Sequence, residues 1–322
     1  MADTQIHLDV RAHRDTVVAV VCGGSSTEAA VSRSTGAEVA TSLQKTYRRV
    51  EVVELNAAID TVLRRLKPGV VFPALHGSPG EDGTFQGLLE MLHVPYVGSG
   101  VAASATAMNK ILAKQLFRSV GIPVAPDIGI HSSESIASAA ERIIEQLGTR
   151  VVVKPAKQGS AIGVTFANSL ASIKKALAKA FTYGEWALVE REIMGREITA
   201  GVLEINGSVS LPVLEITVPK GSWYDYKHRY TPGLSTHMVP AALPPDHYQK
   251  VQAIARRAHE VLGCRDLSRA DFVFPDHGEP VLLEVNTLPG MTSTSLYPDE
   301  ARAAGIPFET LVAYLVERAR AR

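Results

Sequence analysis

The sequence predicts a protein with an α/β fold in its first part and an α+β fold towards its end. Strand-like and helix-like segments alternate up to about residue 105, which is typical of a parallel sheet. From about residue 195, strand-like runs dominate instead. At 322 residues the chain is too long for one small core and suits two or three domains.

The first unit is predicted to hold three strands with helices between them. The run "TVVAVVCGG" (16–24) predicts a buried strand that ends in a turn, because β-branched residues favour strands and paired glycines favour turns. The segments "RVEVVEL" (49–55) and "GVVFPALHG" (69–77) predict the other strands. Helices are predicted for "AAVSRSTGAEVATSLQKTY" and "IDTVLRRL". The alternation therefore favours parallel strands.

The second unit is predicted to start near residue 105 with a helix. The apolar residues of this helix recur at helical spacing: Met108, Ile111, Leu112, Leu116 and Val120. Gly121 is the expected stop. A helix follows in 132–148, a strand in 150–155, a helix in 168–181 with Asn168 as its N-cap, and a strand in 185–191.

The third unit is predicted to be rich in strands. Two strand-like runs (196–205 and 209–217) come first, then a helix (246–262), a hairpin of "ADFVF" and "PVLLEVN", and a closing helix from about residue 308. Residues 218–242 are long, aromatic and irregular. A loop of this length is usually either functional or disordered.

The composition narrows the possible functions. Lys plus Arg and Asp plus Glu both total 33, so the basic surplus of most nucleic-acid binders is missing. Cys22 and Cys264 are the only cysteines, which suits a reducing compartment. The N-terminus lacks the apolar core of a secretory signal, and no run approaches the ~18–20 apolar residues of a membrane span. We expect a soluble cytoplasmic protein that binds neither nucleic acid nor membrane.

The stretch "PVLLEVNTLPG" (280–290) predicts a metal site. Glu284 and Asn286 alternate on a strand and therefore share one face. If residues 276–279 form the hairpin loop, Asp271 falls opposite Glu284. Two carboxylates and an amide are hard oxygen ligands of the kind that Mg²⁺ accepts together with phosphates. The alternative is a solvated hairpin edge with ordinary polar residues.

A second stretch favours a nucleotide site. Lys154 ends a strand and precedes "AKQGSAIGV", a loop whose backbone N–H groups could lie along phosphate oxygens. Its spacing differs from that of a P-loop, so a Walker-type NTPase is disfavoured, whereas a surface hairpin stays open. The segment "LVEREI" (188–193) could offer backbone groups to an adenine edge.

Taken in order, seven motifs resemble the D-alanine–D-alanine ligases of the ATP-grasp superfamily. They are "GGSSTEAAVS", "ALHGSPGEDGTFQG", "PYVGSGVAASATAMNK", "VVKPAKQGSAIGV", "YDYKHRY", "SRADFVF" and "NTLPGMTSTSL". The resemblance covers nearly the whole chain and implies three domains. These would be a Rossmann-like domain (1–105), a central ATP-grasp subdomain (106–195) and a C-terminal subdomain (196–322) with the metal site and a lid at 218–242.

The resemblance implies that ATP binds between the second and third domains. Its phosphates would meet Lys110, Lys154 and the lid residue Arg229. The adenine hinge would be formed by Glu190, Arg191, Glu192 and Ile193, with Glu190 towards the amino group. Glu197 would bind the ribose hydroxyls. Asp271, Glu284 and Asn286 would hold two Mg²⁺ ions, for which Mn²⁺ could substitute.

The resemblance also implies a place for two D-alanine molecules. Glu28 would bind the ammonium of the first, which His76 would help to hold. Ser160 and Tyr230 would join Glu28 in a hydrogen-bonded trio. Arg269 and the backbone N–H of Gly290 would face the acyl oxygen, and Ser295 and Leu296 would receive the second D-alanine. The implied reaction is ATP-dependent ligation through a D-alanyl phosphate for peptidoglycan synthesis, by an enzyme expected to be a homodimer.

Three positions depart from the family pattern. Arg229 stands where lysine is usual, Ala161 where a second serine is frequent, and Ala30 where a second glutamate is common. The nearest alternative is a sibling ligase that uses D-lactate, D-serine or another acceptor. A non-catalytic nucleotide sensor is a second alternative. A nicotinamide oxidoreductase is disfavoured because "CGGSST" lacks the G-x-G-x-x-G pattern.

Overall fold

The structure is a computed structural model that describes residues 5–231 and 233–322. The first four residues of the N-terminal arm and residue 232 of the expected lid lie outside the described residues. The described chain forms three sheets that follow one another in sequence. The predicted combination of a parallel first sheet with strand-rich later segments is confirmed.

The first sheet is parallel, with the strand order β2-β1-β3. Its segment of the chain contains β1 (Val17–Cys22), α1 (Ala29–Leu43), β2 (Arg49–Glu54), α2 (Ile59–Leu66), β3 (Val70–Pro73) and α3 (Thr84–Met91). Central strand β1 is buried from Val18 to Cys22, as its unbroken apolar run predicts. The glycines at its end, Gly23 and Gly24, have positive φ angles of 76° and 92°, which turn the chain towards α1.

The second sheet is antiparallel, with the order β4-β7-β5-β6. Its elements are α4 (Val101–Met108), α5 (Lys110–Ser119), β4 (Asp127–His131), α6 (Ile136–Leu147), β5 (Val151–Pro155), β6 (Thr165–Ala167), α7 (Leu170–Phe181) and β7 (Trp186–Arg191). The helix expected to start near residue 105 and to stop at Gly121 is broken at Asn109, whose backbone is extended. The Asn109 side chain accepts a hydrogen bond from the Leu112 N–H, so it caps α5 and places Lys110 at the first helical position.

The third sheet is antiparallel and has six strands, with β9 paired to β8 beside the path β11-β10-β8-β12-β13. Its elements are β8 (Arg196–Glu204), β9 (Ser208–Ser210), β10 (Leu214–Thr217), α8 (Tyr226–Tyr230), β11 (Thr236–Met238), α9 (Pro245–Leu262), β12 (Leu267–Phe274), β13 (Val281–Asn286), α10 (Leu296–Ala303) and α11 (Phe308–Arg320). The strand-like run 209–217 is thus two strands, and the irregular segment 218–242 contains α8 and β11.

The predicted pairing of Asp271 with Glu284 is confirmed, although a bulge produces it. Near the hairpin turn Val273 pairs with Val281 and Phe272 with Leu282. That register, continued, would pair Asp271 with Leu283. The register instead shifts between Phe272 and Asp271, so that Leu283 is the extra residue and Glu284 lies opposite Asp271. The bulge therefore returns both carboxylates to one face of the sheet.

The last helix completes the core of the first sheet. Leu311, Val312 and Leu315 of α11 are fully buried in one cluster with Val18 and Val20 of β1. The N-terminal arm lies on the same cluster through Ile6, Leu8 and Val10, and the Ile6 N–H donates to the Ala304 carbonyl after α10. Met291 and Tyr297 belong to it as well. The segment between β13 and α10 is therefore held firmly against the first sheet.

The predicted N-cap of α7 is wrong by one residue. Ser169, and not Asn168, accepts a hydrogen bond from the Ser172 N–H, and the Ser172 hydroxyl accepts one from the Ser169 N–H in return. This reciprocal pair is a capping box built from two serines. Asn168 contributes only its backbone N–H, which donates to the same Ser172 hydroxyl.

Ser169→Ala should lower the free energy of unfolding by about 1 kcal/mol, because it removes the side-chain acceptor of the cap. Asn168→Ala is the matched control and should change it by less than about 0.5 kcal/mol, since only its backbone is used. The measurement is the shift in urea midpoint for each variant, followed by circular dichroism. Equal losses in the two variants would contradict the assignment of the cap to Ser169.

Candidate active site

Two adjoining cavities lie where the three sheets meet. The smaller, of about 100 Å³, is lined by residues of all three segments, including Glu28, Ser160 and Arg269. The larger, of about 540 Å³, lies between the second and third sheets and has the size typical of small-molecule sites. Four residues line both cavities: Lys110, Tyr224, Arg229 and Glu284. A ligand in one cavity can therefore react with a ligand in the other.

The predicted trio of Glu28, Ser160 and Tyr230 is hydrogen-bonded beside the smaller cavity. The Ser160 hydroxyl donates to Glu28 Oε1, which also accepts from the Tyr230 hydroxyl at 3.2 Å. The hydroxyl oxygens of Ser160 and Tyr230 lie 2.7 Å apart. Glu28 precedes α1, Ser160 lies in the loop after β5 and Tyr230 ends α8, so the trio joins the three segments.

The loop that carries Ser160 has an unusual backbone. Ser160 and Ala161 both have positive φ angles, 47° and 60°, although neither is glycine. Such a left-handed residue costs roughly 1–2 kcal/mol. The contacts of Ser160 with Glu28 and Tyr230 offset part of this cost. The strained turn directs the Ser160 hydroxyl towards the first segment.

His76 is buried in the loop after β3, where its Nε2 lies 3.1 Å from the Thr35 hydroxyl oxygen. Burial, reinforced by the positive charge of Arg269, lowers the pKa of His76 to about 4. The ring is therefore neutral at physiological pH. It can orient a substrate through hydrogen bonds but adds no charge.

Glu81 is a buried carboxyl of the same cavity that sequence reasoning did not single out. It accepts a hydrogen bond of 2.5 Å from the Gly77 N–H. Burial, together with the negative charge of Glu28, raises the pKa of Glu81 to about 8. The only signal for it in the sequence is its place within the quoted motif "ALHGSPGEDGTFQG".

Arg269 lies on β12 at the edge of the smaller cavity and is 7% exposed. Its guanidinium donates two hydrogen bonds to the Asp271 carboxylate, at 2.8 and 2.7 Å. Gly290 lines the same cavity, and a Cβ on it would lie 2.8 Å from Ser295 Oγ, so a larger residue there would displace the Ser295 side chain. The Ser295 hydroxyl accepts from the Thr292 N–H at 3.0 Å, and Leu296 begins α10 beside it.

The larger cavity is dominated by buried charge at the end of β7. Glu190 is held by two lysines, Lys154 on Oε2 and Lys114 on Oε1. Burial alone would raise the pKa of Glu190, but the two lysines outweigh it and hold the pKa at about 2. Residues 191–193, which the resemblance assigns to an adenine hinge, follow Glu190 and also line the cavity. Lys114 was missed, because a lone lysine on a helix is usually a solvated residue.

Glu197 and Arg229 lie on the side of the larger cavity formed by the third sheet. Glu197 Oε1 accepts from the Tyr224 N–H at 3.4 Å, and burial raises the pKa of Glu197. The Arg229 guanidinium stacks on the Tyr224 ring at 4.5 Å and donates to the Tyr224 carbonyl at 3.2 Å. A planar guanidinium is suited to such stacking in a way that lysine is not.

The three predicted metal ligands lie at the junction of the two cavities. Asp271 Oδ1 accepts from Thr199 at 2.7 Å, Glu284 Oε2 lies 3.1 Å from Lys110 Nζ, and Asn286 Oδ1 accepts from the Leu288 N–H. Burial would raise the pKa of Glu284, but Lys110, Lys154 and Arg229 outweigh it and hold the pKa at about 2.

An ionised carboxylate that lines both cavities, with a second one opposite it, fits a divalent cation bound to phosphates. No group of three His, Cys, Asp or Glu side chains suited to a metal occurs in the described part of the chain. The predicted ligand set is of a different kind, because its third member, Asn286, is an amide.

Comparison with known proteins identifies the family. The family model "D-ala D-ala ligase C-terminus" matches residues 116–317 and "D-ala D-ala ligase N-terminus" matches residues 48–99, together more than half of the chain. A D-alanine–D-alanine ligase of Desulforamulus reducens is 44% identical over 308 residues, which cover 94% of this chain and 98% of the relative. One of Pelotomaculum thermopropionicum is 43% identical over 308 residues, which cover 94% of this chain and 96% of the relative. The chain belongs to the D-alanine–D-alanine ligase family.

Comparison with solved structures supports the same family. The D-alanine–D-alanine ligase of Bacillus anthracis complexed with ATP has a TM-score of 0.82 and 30% identity, and covers 94% of this chain and 97% of its own. The D-alanyl-alanine synthetase A of Vibrio cholerae has a TM-score of 0.84 and 27% identity over 97% of this chain and all of its own. The predicted ATP-grasp architecture is thereby confirmed.

The departures of this ligase from the family pattern are compatible with its geometry. Ala30 is exposed on α1, so a glutamate there would face solvent and not the Glu28 carboxylate. Ala161 follows Ser160 in the left-handed turn, and the contacts of the Ser160 hydroxyl are intact with alanine at this position. Across the described residues, the ligase has no helix with the length and apolar character to span a membrane.

Glu81→Gln should change how the stability of the ligase depends on pH. In the folded state Glu81 keeps its proton up to about pH 8, whereas the unfolded chain loses it near 4.5, so the wild type loses stability as pH rises through this window. Relative to the wild type, the variant should therefore gain up to about 1.4 kcal/mol of unfolding free energy per pH unit.

The measurement is urea unfolding of both proteins at several pH values between 5 and 8. Gln retains an oxygen that can accept from the Gly77 N–H, so the comparison isolates the titration. A difference between the two proteins that stays constant with pH would contradict the raised pKa of Glu81.

Proposed function

We propose that this ligase joins two D-alanine molecules into D-alanyl-D-alanine, with ATP converted to ADP and phosphate. The observation that carries the proposal is the junction of two cavities at Lys110 and Glu284, one suited to a nucleotide and one to small amino acids. The names of the curated relatives, and the ATP complex of the Bacillus anthracis relative, support it. Peptidoglycan precursor synthesis is the process that this dipeptide would serve.

In the proposal, ATP occupies the larger cavity. Its adenine lies against residues 190–193 with the amino group towards Glu190, and its ribose hydroxyls face Glu197. Lys110, Lys154 and Arg229 bind the phosphates. Asp271, Glu284 and Asn286 hold Mg²⁺, or Mn²⁺ in its place, which when bound neutralises charge on the transferring phosphoryl group.

The first D-alanine would lie in the smaller cavity with its ammonium on Glu28 and its carboxylate towards Arg269, oriented by the neutral His76. One carboxylate oxygen attacks the γ-phosphorus, the bond to the bridging oxygen breaks and ADP leaves. The product is D-alanyl phosphate, whose carbonyl carbon accepts a nucleophile that the free carboxylate would resist. Holding both reactants at the junction supplies the orientation that this step needs.

The second D-alanine would bind near Ser295 and Leu296. Its amine loses a proton and attacks the acyl carbon, and a tetrahedral intermediate forms. The Arg269 guanidinium and the Gly290 N–H stabilise the negative oxygen, an oxyanion-hole role. The C–O bond to phosphate then breaks and the peptide bond is complete. The hydrogen bonds of Tyr230 with Glu28 and of the Tyr224 N–H with Glu197 would keep the segment 218–242 closed over the site. Closure excludes water and so limits hydrolysis of the acyl phosphate, the competing reaction.

The proposal includes a cytoplasmic homodimer. Cys22 and Cys264 are buried free thiols, which suits a reducing compartment. Val52 on β2, Val62 on α2 and Met91 on α3 are exposed to 53%, 38% and 81%, so the first segment offers apolar surface for a second copy. Light scattering during gel filtration tests the dimer.

The deciding assay is phosphate release from Mg·ATP with four amino-acid mixtures: D-alanine, L-alanine, D-alanine plus D-lactate, and D-alanine plus D-serine. D-Alanine alone should give ADP, phosphate and a product with the mass of D-alanyl-D-alanine, whereas L-alanine should give none. A mixed product formed in preference would move the enzyme to a sibling ligase. No phosphate release under any condition would contradict the proposal.

Glu284→Gln should lower kcat by at least about 100-fold, because the loss of one metal-ligating charge is expected to cost several kcal/mol. The control is Glu279→Gln in the turn of the same hairpin, where the side chain is exposed and pairs with Lys250. This control should leave kcat unchanged. The measurement is phosphate release against Mg²⁺ concentration. An unchanged metal dependence in Glu284→Gln would contradict the assignment of the ligand.

A further inference from the structure

A fully buried lysine lies behind the nucleotide cavity. The side chain of Lys114, on α5, is 1% exposed and forms an ion pair with Oε1 of Glu190, which is itself 3% exposed. Lys154 pairs with the other oxygen, Oε2. One carboxylate thus has two ammonium groups, one on each oxygen. Burying a second ammonium group costs free energy, and one lysine would already balance the charge of Glu190. The burial of Lys114 therefore calls for an explanation other than charge balance.

The two lysines occupy different sides of Glu190. Lys154 and Glu190 line the larger cavity, whereas Lys114 does not. A nucleotide in this cavity would therefore contact Glu190 and Lys154 but not Lys114. Lys154, in contrast, faces the cavity next to Lys110, where the proposed phosphates lie. If Lys154 turns to phosphate, Lys114 is the cation that stays with Glu190.

Helix α5 supplies a separate cation to each of two neighbouring carboxylates. Asp127 on β4 and Glu190 on β7 are directly opposite in the antiparallel pair, an arrangement that is unfavourable for like charges. Lys114 and Arg118 lie one turn apart on α5 and therefore on the same face. Arg118 pairs with Asp127 at 2.6 Å, while Lys114 pairs with Glu190. Each of the two carboxylates thus has a cation of its own from α5.

We propose that Lys114 is a positioning residue for nucleobase selection, which keeps Glu190 ionised and oriented to accept a hydrogen bond from the 6-amino group of adenine. This inference rests on the proposed function, in which Glu190 faces the adenine. A carboxylate is an acceptor only. It therefore favours a 6-amino purine and repels a 6-oxo purine, whose oxygen is also an acceptor.

Loss of Lys114 should weaken nucleotide binding by two routes, the first of which also weakens the selection of the base. A buried carboxylate without its cation takes up a proton more readily, and a protonated Glu190 can donate to a 6-oxo group. Otherwise Lys154 stays with Glu190 and contributes less to the phosphates. Both routes raise the KM for ATP, and the first also admits inosine triphosphate.

The test compares Lys114→Met with Arg118→Met, a matched loss of the other cation on the same face of α5. Phosphate release with D-alanine is measured against ATP and against inosine triphosphate. Lys114→Met should reduce the ATP preference in kcat/KM by about tenfold or more, equivalent to about 1.4 kcal/mol. The KM for D-alanine should stay within about twofold, and Arg118→Met should keep the wild-type preference.

Lys114→Gln serves the same comparison if the Met variant does not fold, and calorimetric binding of ADP against inosine diphosphate provides a readout without turnover. An unchanged nucleotide preference in the folded Lys114 variants would overturn the inference, as would an equal loss in Arg118→Met. A wild-type enzyme that releases no phosphate from ATP with D-alanine would overturn the proposed function instead. The two failures are therefore distinguishable.

Discussion

Two carboxylates that face each other across the β12–β13 hairpin, Asp271 and Glu284, set the main constraint on this structure. Buried negative charges are tolerated only where cations pair with them. Asp271 accepts two hydrogen bonds from Arg269 on its own strand, and Glu284 forms an ion pair with Lys110 at the start of α5. The break at Asn109 is what brings that lysine to the site, because it starts a new helix there.

Polar contacts also connect the described residues of the segment 218–242 to the site. At the site, the Tyr230 hydroxyl donates to Glu28 and the Tyr224 N–H donates to Glu197, while His237 Nδ1 lies 2.7 Å from Asp299 on α10. Elsewhere the segment is held by the pairing of β11 with β10 and by the burial of Tyr224 against Leu214 and Ile216. A hydrogen bond contributes about 0.5–1.5 kcal/mol net, so the polar contacts at the site hold this segment less firmly than the strand pairing does. The His237 contact joins the lid to α10, the helix that begins at Leu296.

The sequence carried enough information for the parallel first sheet and for many residues that line the two cavities, because periodicity and ordered motifs are local signals. It did not predict β4, β6 or β11, since strands of three to five residues are too short to show a clear alternation. It predicted that Asp271 lies opposite Glu284, but it did not predict the bulge at Leu283. The pairing was therefore correct, although the register next to the turn differs by one residue. Ser169 replaced Asn168 as the cap because both residue types cap helices and only the backbone decides between them. The roles of Glu81 and Lys114 were not predicted, because both residues owe their properties to burial by segments that are distant in the sequence.

The pairing of these charges gives a physical account of how Mg·ATP could enter so polar a site. In the structure each cation of the site pairs with a carboxylate: Lys110 with Glu284, Lys154 with Glu190 and Arg269 with Asp271. The cations are the side chains proposed to bind phosphate or the oxyanion, and the carboxylates are those proposed to bind metal or adenine. Binding then exchanges partners, with phosphates replacing carboxylates on the lysines while metal and adenine take the carboxylates. No buried charge is left alone at the end of this exchange, which keeps the desolvation cost low. Glu190 is the one carboxylate in this set whose new partner is neutral, and for that reason it keeps a cation of its own in Lys114.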